Sequence, residues 1–209
     1  MAAFLLSHGL PANPRLRGPL MRRLGTRGFF VAYTLLSLSV VAWLAHAYAA
    51  APYVELWPQD PWTRWVPPIA MLPACLLLVI GLSSPNPYSL GLGRRRYNPA
   101  RPGIVGLVHH PVIWALTLWA AAHLFPNGDL ASLVLFGPLL ALSLSGPRVL
   151  DRRRARDLGE DWIRLAPRLT PPPALLAQIG PWRMAGGVLL YAVLLYLHPV
   201  VIGVSPLPS

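Results

Sequence analysis

The chain has 209 residues, of which 55% are hydrophobic and 12% are charged, and its formal net charge is +11. Soluble domains carry about 25% charged residues. A nucleic-acid-binding domain would also set its basic residues among many acidic and polar ones. The composition therefore excludes a nucleic-acid partner and predicts a single integral membrane domain over residues 1–209. The only cysteine excludes an intrachain disulfide.

Five uncharged stretches meet or approach the length of about 20 apolar residues that a helix needs to cross a lipid bilayer. In chain order, their most apolar parts are Phe29–Ala50, Ile69–Leu82, Ile104–Phe125, Leu130–Pro147 and Met184–Val204. The pattern predicts an all-α fold, a polytopic bundle with five full spans. The segment before the first span, MAAFLLSHGL, is apolar but too short to cross. It is either an interfacial segment or the end of a first spanning helix whose upstream residues are missing.

The basic residues predict the orientation of the bundle. All 18 are arginines, and all but Arg64 lie in three connections, residues 11–28, 84–103 and 148–183. If the spans alternate, these connections share one side of the membrane. Arginine-rich loops stay in the cytoplasm, so we expect this side to be cytoplasmic.

The stretch DRRRARDLGEDWIRL at residues 151–165 alternates acidic and basic residues at helical spacing, which predicts an Arg-rich cytoplasmic helix. One interpretation is a solvated, salt-bridged helix that touches anionic headgroups. The other is a polar lid over a site entered from the cytoplasm. Asp129, which follows Asn127 and Gly128, is predicted to cap the helix that begins at residue 130.

Six histidines lie in or beside the apolar stretches, where ionisable groups are costly and often mark a functional site. Two imidazoles from different helices can bind haem iron axially within an apolar bundle. His110 and His123 are roughly 20 Å apart along one helix and cannot share an iron. Predicted depth alone pairs His46 with His123. The alternative is that these histidines form interhelical hydrogen bonds or lie at the interface.

Several segments resemble one known family when they are taken in order. They are SHGLPANPRLR at 7–17, HHPVIWALTLWAAAHLFPNGD at 109–129, DRRRARDLGEDW at 151–162 and LHPVV at 197–201. Their arrangement resembles the NnrU family of bacterial membrane proteins and a relative in plants and cyanobacteria, 15-cis-zeta-carotene isomerase.

The resemblance implies a six-helix protein of the bacterial inner membrane, with a truncated first helix here. It also implies a role in denitrification beside respiratory enzyme partners, or cis–trans isomerisation of an apolar small molecule. The isomerase binds haem b through two histidines, and motif order carries this ligand pair to His8 and His123. His46, His110 and His198 match other histidines of that relative.

A second resemblance leads to different chemistry. The segment from Asp151 to Pro173 resembles membrane methyltransferases of the isoprenylcysteine carboxyl methyltransferase kind. In that alternative, Arg153, Arg154 and Glu160 contact S-adenosylmethionine. Those enzymes also have an upstream Arg-His-Pro-x-Tyr-x-Gly motif. This chain has other residues at the Arg, Tyr and Gly positions around His110, so a guanidinium partner for the carboxylate of the methyl donor is missing. A third alternative is a non-catalytic membrane assembly factor. The sequence leaves open whether the protein is an enzyme.

Overall fold

The computed structural model describes residues 1–10, 13–93, 96–167 and 171–207, apart from the side chain of Pro14. Within these residues the α-helices are α1 Ala2–Gly9, α2 Pro14–Ala49, α3 Val66–Ser83, α4 Pro111–Leu124, α5 Leu130–Leu158, α6 Asp161–Arg164, α7 Pro172–Ile179 and α8 Pro181–Ile202. Short 3₁₀ turns cover Pro61–Trp65 and Gly103–Gly106. Extended pairing in the described residues is limited to one isolated bridge between Glu55 and Asp129. The predicted all-α fold is confirmed.

Four helical segments are long and apolar enough to cross a membrane: Arg15–Ala49, Pro61–Ser83, Leu130–Leu158 and Pro181–Ile202. The chain is therefore a membrane protein. Helix α4 has 14 residues and a length of about 21 Å, which is less than the roughly 30 Å of a hydrocarbon core. The count of five full spans stays a prediction.

The predicted start of the third span, at Ile104, is wrong. Ile104 lies in the 3₁₀ turn Gly103–Gly106, and α4 begins at Pro111. Proline fits the first turn of a helix because its missing N–H would have no partner there. It also disfavours helical geometry in the residue before it, and His110 has φ −125° and ψ 60°. The apolar residues between the turn and Pro111 therefore do not belong to the helix.

The first Arg-rich connection is largely helical. Asn13 caps α2, because its side-chain oxygen accepts a hydrogen bond from the Arg15 N–H at 3.0 Å. The helix breaks at Gly25, where φ is 69° and ψ is 168°, a conformation that glycine adopts without steric cost. The arginines before Gly25 therefore lie on a helical segment that is separated from the apolar remainder of α2.

The Arg-rich helix predicted over residues 151–165 is divided in two. Its first part is the end of α5, which continues without interruption from the apolar segment to Leu158. The helix stops at Gly159, where φ is +55°, and α6 follows as a single short turn. The segment is thus helical on both sides of Gly159 but does not form one separate helix.

The chain divides into two compact units, Met1–Leu56 with Asp129–Leu135, and Trp57–Gly128 with Phe136–Ser209. In the first unit, α1 packs along α2. The Tyr48 hydroxyl lies 2.9 Å from Ser132 Oγ, which itself donates to Asp129 Oδ2 at 2.6 Å. These bonds connect the end of α2 to the start of α5. The single-domain organisation stays a prediction.

In the second unit, α3 packs against both α4 and α8. The approach to α8 is close at Gly187, where a Cβ atom would come within 2.7 Å of a Leu76 side-chain carbon. Near the end of α3, a buried cluster combines Ile80, Tyr88, Ile104, Val105 and Ile179. This cluster holds the loop after α3 against the Gly103–Gly106 turn and α7, and so positions the polar residues of the loop.

Candidate functional site

A group of polar and aromatic side chains in the second unit forms what we call the His–Asp cluster: Asn86, Tyr88, His109, His110 and Asp151. His110 is 2% exposed, and its Nε2 lies 2.9 Å from Asp151 Oδ1. His109 Nδ1 lies 3.8 Å from the same oxygen. A carboxylate only accepts hydrogen bonds, so His110 Nε2 is the donor. His110 Nδ1 is buried and has no hydrogen-bond partner in the described structure.

The loop after α3 positions this cluster through Asn86. The Asn86 Oδ1 accepts hydrogen bonds from the backbone N–H groups of Tyr88 at 2.8 Å and Ser89 at 3.1 Å. Its amide nitrogen donates to the His109 carbonyl at 2.9 Å. The Tyr88 ring stacks on His109 with centroids 4.4 Å apart, and its hydroxyl donates to the Leu165 carbonyl at 2.7 Å. One amide therefore fixes both the turn and the residue before His110.

Burial controls the charge state of the groups in this loop. Desolvation lowers the pKa of His109, and His110 adds to the decrease, while the nearby Asp151 opposes it. Burial raises the pKa of Tyr88, and the negative charge of Asp151 raises it further. At neutral pH, His109 is therefore an uncharged ring beside a protonated tyrosine. The Asp151 carboxylate orients the His110 ring, and His110 Nδ1 has no partner in the described structure. A general base has this arrangement.

His123 lies in the last turn of α4 among aromatic rings. Its Nδ1 is 2.7 Å from the Trp119 carbonyl, and its ring stacks on Phe136 with centroids 5.2 Å apart. The Trp119 ring is tilted by 53° relative to His123, with centroids 5.7 Å apart. A carbonyl oxygen can only accept, so Nδ1 carries a proton, and in the neutral ring Nε2 then keeps its lone pair. This is the neutral form in which imidazole binds metals.

The other predicted histidines lie in separate environments. His8 is exposed on α1, stacks on Phe4 at 5.6 Å, and lines a small pocket of about 90 Å³. His46 is exposed near the end of α2. His198 Nδ1 bonds the Val204 carbonyl at 2.7 Å. The pairs His8–His123 and His46–His123 both stay predictions.

His110 and His123 lie at opposite ends of α4, as the sequence predicts. His110 precedes the first residue of the helix and His123 is in its last turn, which corresponds to roughly 20 Å. They therefore cannot bind one iron. Among the described residues, no group of three or more His, Cys, Asp or Glu side chains could hold a metal ion. A haem site differs from such a group, because two axial histidines are sufficient to hold the iron.

Two of the cavities formed by described residues have volumes of about 190 and 90 Å³. Pockets that enclose small-molecule ligands measure about 300–1,000 Å³. Neither cavity is large enough for a porphyrin, so a macrocycle would need space outside them. The Nε2 atom of His123 is a suitable ligand for haem iron, but neither of these two cavities encloses a porphyrin ring.

The charged residues of the predicted Arg-rich helix pair mostly with near neighbours. Arg153 lies 3.8 Å from Asp157, and Arg164 lies 3.0 Å from Glu160, both at (i, i+4) spacing and exposed. Such pairs are typical of a solvated helix surface. Arg154 differs, because its Nε is buried without a hydrogen-bond partner in the described structure. The paired arrangement favours the solvated-helix interpretation over the lid.

The predicted cap at Asp129 is confirmed. Its Oδ1 accepts the Ser132 backbone N–H at 2.9 Å, three residues into the helix. The roles of Asn86 and Tyr88 were missed in the sequence. A signal was present, because Asn86 lies between two prolines directly after an apolar span, where a polar side chain has a turn to stabilise.

The helices and their apolar surfaces define a multi-pass α-helical membrane protein. The chain matches the model of the NnrU protein family over residues 1–206, and it belongs to that family. No curated protein and no solved structure shows significant similarity to it.

Proposed function

We propose that this NnrU-family membrane protein binds haem b, with His123 as one axial ligand. The hydrogen bond between His123 Nδ1 and the Trp119 carbonyl, at 2.7 Å, carries the proposal. Histidines that bind metals usually donate their second ring N–H to a carbonyl or a carboxylate, which fixes the tautomer and the ring orientation. The neighbouring Trp119 and Phe136 rings offer the apolar surface that suits a macrocycle.

The second axial ligand in this proposal is His8, on the family resemblance, with His46 as the alternative from predicted depth. Both side chains are exposed on their helices, which leaves their ring nitrogens accessible. When bound, haem would supply a redox-active iron within an apolar surrounding. That chemistry suits isomerisation of an apolar small molecule, or an accessory role in nitrogen-oxide reduction.

Purification in mild detergent from cells with an ample haem supply tests the proposal. We expect a Soret band in the wild-type protein and its loss in His123→Ala. The matched control is His198→Ala, since His198 also bonds a backbone carbonyl through Nδ1, and it should keep the band. His8→Ala and His46→Ala then separate the two choices of second ligand. A wild-type protein without a Soret band, or His123→Ala with an unchanged spectrum, contradicts the proposal.

We also propose that the Arg-rich connections lie in the cytoplasm of a bacterial cell, as the distribution of arginines predicts. Leu92 in one such connection is 51% exposed, and Trp62 in the opposite loop is 60% exposed. In a Cys75→Ser background, an impermeant maleimide should label Trp62→Cys in intact cells. It should label Leu92→Cys only after the membrane is opened. Labelling of both sites in intact cells would contradict this orientation.

A further inference from the structure

A second site in the same unit is a basic pocket of about 190 Å³ near the ends of α3 and α7 and the start of α8. We call it the arginine pocket. Arg96, Arg101 and Arg183 line it, together with Tyr97 and Gln178. Among the described residues that form its wall, none is an aspartate or a glutamate. Three arginines therefore line one cavity, and the described part of its wall carries no carboxylate.

The pocket is held in place by hydrogen bonds. Arg183 donates from Nη1 to the Ile179 carbonyl at 2.7 Å, and from Nε and Nη2 to the Ser83 carbonyl at 3.4 and 3.3 Å. It thereby satisfies carbonyls at the ends of α7 and α3. Gln178 Oε1 accepts the Gly103 N–H at 2.8 Å, which fixes the loop that carries Arg101. The wall of the pocket is thus set by the fold.

The positive charge of the arginine pocket favours binding of an anion. Three positive charges around one cavity make its electrostatic potential positive, and this favours binding of an anion there. Arginine forms paired N–H donors that match the oxygens of phosphate. A phosphate group is therefore the chemistry that this pocket fits best.

The position of the arginine pocket favours a membrane lipid as the source of the phosphate group. It lies where α3 ends at Ser83 and where α8 begins at Pro181, and both helices belong to segments that can cross a membrane. Trp182, beside the pocket residue Arg183, is 87% exposed, as is typical of tryptophans at the membrane–water interface. We propose that the arginine pocket binds the phosphate headgroup of an anionic phospholipid. Basic pockets between membrane helices bind such headgroups.

The test is native mass spectrometry of the full chain in mild detergent, titrated with phosphatidylglycerol or with phosphatidylcholine. We expect the wild-type protein to retain phosphatidylglycerol preferentially. Arg96 and Arg101 are exposed, so Arg96→Gln with Arg101→Gln should leave the fold intact, as a monodisperse gel-filtration profile checks. Each arginine removed should weaken phosphatidylglycerol binding roughly fivefold, and both together roughly 25-fold.

The control is Arg152→Gln with Arg156→Gln, which removes the same net charge from exposed positions on α5. We expect this variant to lose clearly less phosphatidylglycerol binding than the pocket variant, because solvent and salt screen headgroup contacts on an exposed helix surface. An equal loss in both double variants would mean that general surface charge attracts the lipid, and it would overturn the proposal. A wild-type protein without preference for phosphatidylglycerol would also overturn it.

A soluble phosphate source is distinguished by competition. Glycerol 3-phosphate carries the phosphate but lacks the acyl chains that lie along apolar helix surfaces. We expect it to displace phosphatidylglycerol only at a large molar excess. Displacement at equal concentration would assign the pocket to a soluble phosphate compound instead of a lipid. Since no haem-binding residue is involved, the haem proposal and this one can fail separately.

Discussion

Two membrane segments with nearly equal hydropathy differ in how much of their surface is covered. The most apolar window of Arg15–Ala49 has a mean hydropathy of 1.9, and only 6% of it is buried. The corresponding window of Pro61–Ser83, which contains α3, has a mean hydropathy of 2.1, and 28% of it is buried. Hydropathy therefore indicates which segments can cross a membrane, but it does not indicate which segments pack against protein.

The difference follows from side-chain size and position. Buried positions on α3 include Ala74, Cys75 and Gly81, and small residues let helices approach closely in membranes. Helix α2 instead exposes bulky side chains such as Leu38 and Trp43. Lipid or a partner must cover these side chains. Covered and exposed positions should therefore respond differently to substitution, with effects on stability that range from several kcal/mol to a small change with pH.

Truncating a packed side chain should cost far more than truncating an exposed one. Ile80 on α3 is 3% exposed and belongs to the buried cluster, so Ile80→Ala should lower the free energy of unfolding by about 2–5 kcal/mol. Leu38 on α2 is 62% exposed, and Leu38→Ala should change it by less than about 0.5 kcal/mol. Unfolding in detergent, followed by circular dichroism, measures both. Similar losses would show that α2 is packed against a partner.

Adding one methyl group should separate the two regions as well. In Gly187→Ala the new Cβ would lie 2.7 Å from a Leu76 side-chain carbon and 2.8 Å from Leu76 Cα. The backbone of α3 must shift, and we expect a loss of about 1–3 kcal/mol. At Gly9 on α1 nothing lies within 4 Å of the new atom, so Gly9→Ala should be neutral or slightly stabilising. Equal unfolding temperatures for both variants would contradict the close packing of α3 and α8.

Breaking the His–Asp cluster should cost more than breaking a surface ion pair. Asp151→Ala leaves the buried His110 Nε2 without its acceptor, and we expect a loss of about 1–3 kcal/mol. Asp157→Ala removes the exposed partner of Arg153, which should cost about 0–1 kcal/mol. Adding His110→Leu to Asp151→Ala should recover part of the loss, since no unpaired group then remains. Unfolding free energies of the four proteins form the test.

The smallest effect concerns acidity. The pKa of His109 is lowered from 6.5 in the folded protein, mainly by burial. Just below pH 6.5 the unfolded chain therefore binds more protons than the folded one. The contribution of His109 to stability should fall as the pH drops through 6.5, and it should level off below the folded pKa. His109→Gln should flatten the dependence of the unfolding temperature on pH between 7.5 and 5.5. An unchanged slope would contradict this assignment.

The sequence predicted the helical class and the approximate position of four apolar segments, because length and hydropathy are local properties. It also predicted the Asp129 cap from neighbouring residues. It misplaced the third span because the apolar residues before Pro111 look like helix by composition alone. The segment before Pro111 is not helical because of that proline and because of a contact with a distant residue. The Asn86 amide, 23 residues earlier in the chain, donates a hydrogen bond to the His109 carbonyl.

The candidate sites were predictable only where they rested on single residues. His110 and His123 were selected as histidines beside apolar stretches. The pairing of His110 with Asp151 joins residues 41 apart in the chain, and no local pattern indicates it. The arginine pocket likewise combines Arg96 and Arg101 with Arg183 from a later helix, and it exists only because several helix ends converge.

The bond between Tyr48 and Ser132 bears on how the protein is made. Its two residues are 84 positions apart, and ribosomes add about 5–20 residues per second. Tyr48 therefore waits roughly 4–17 s for its partner to be synthesised. During that time α1 is available to pack along α2, while the start of α5 is still in the ribosome or has not been synthesised. This interval is when a membrane insertase has most opportunity to hold the nascent chain, and slowing translation at codons before Ser132 should extend its crosslinks to α2.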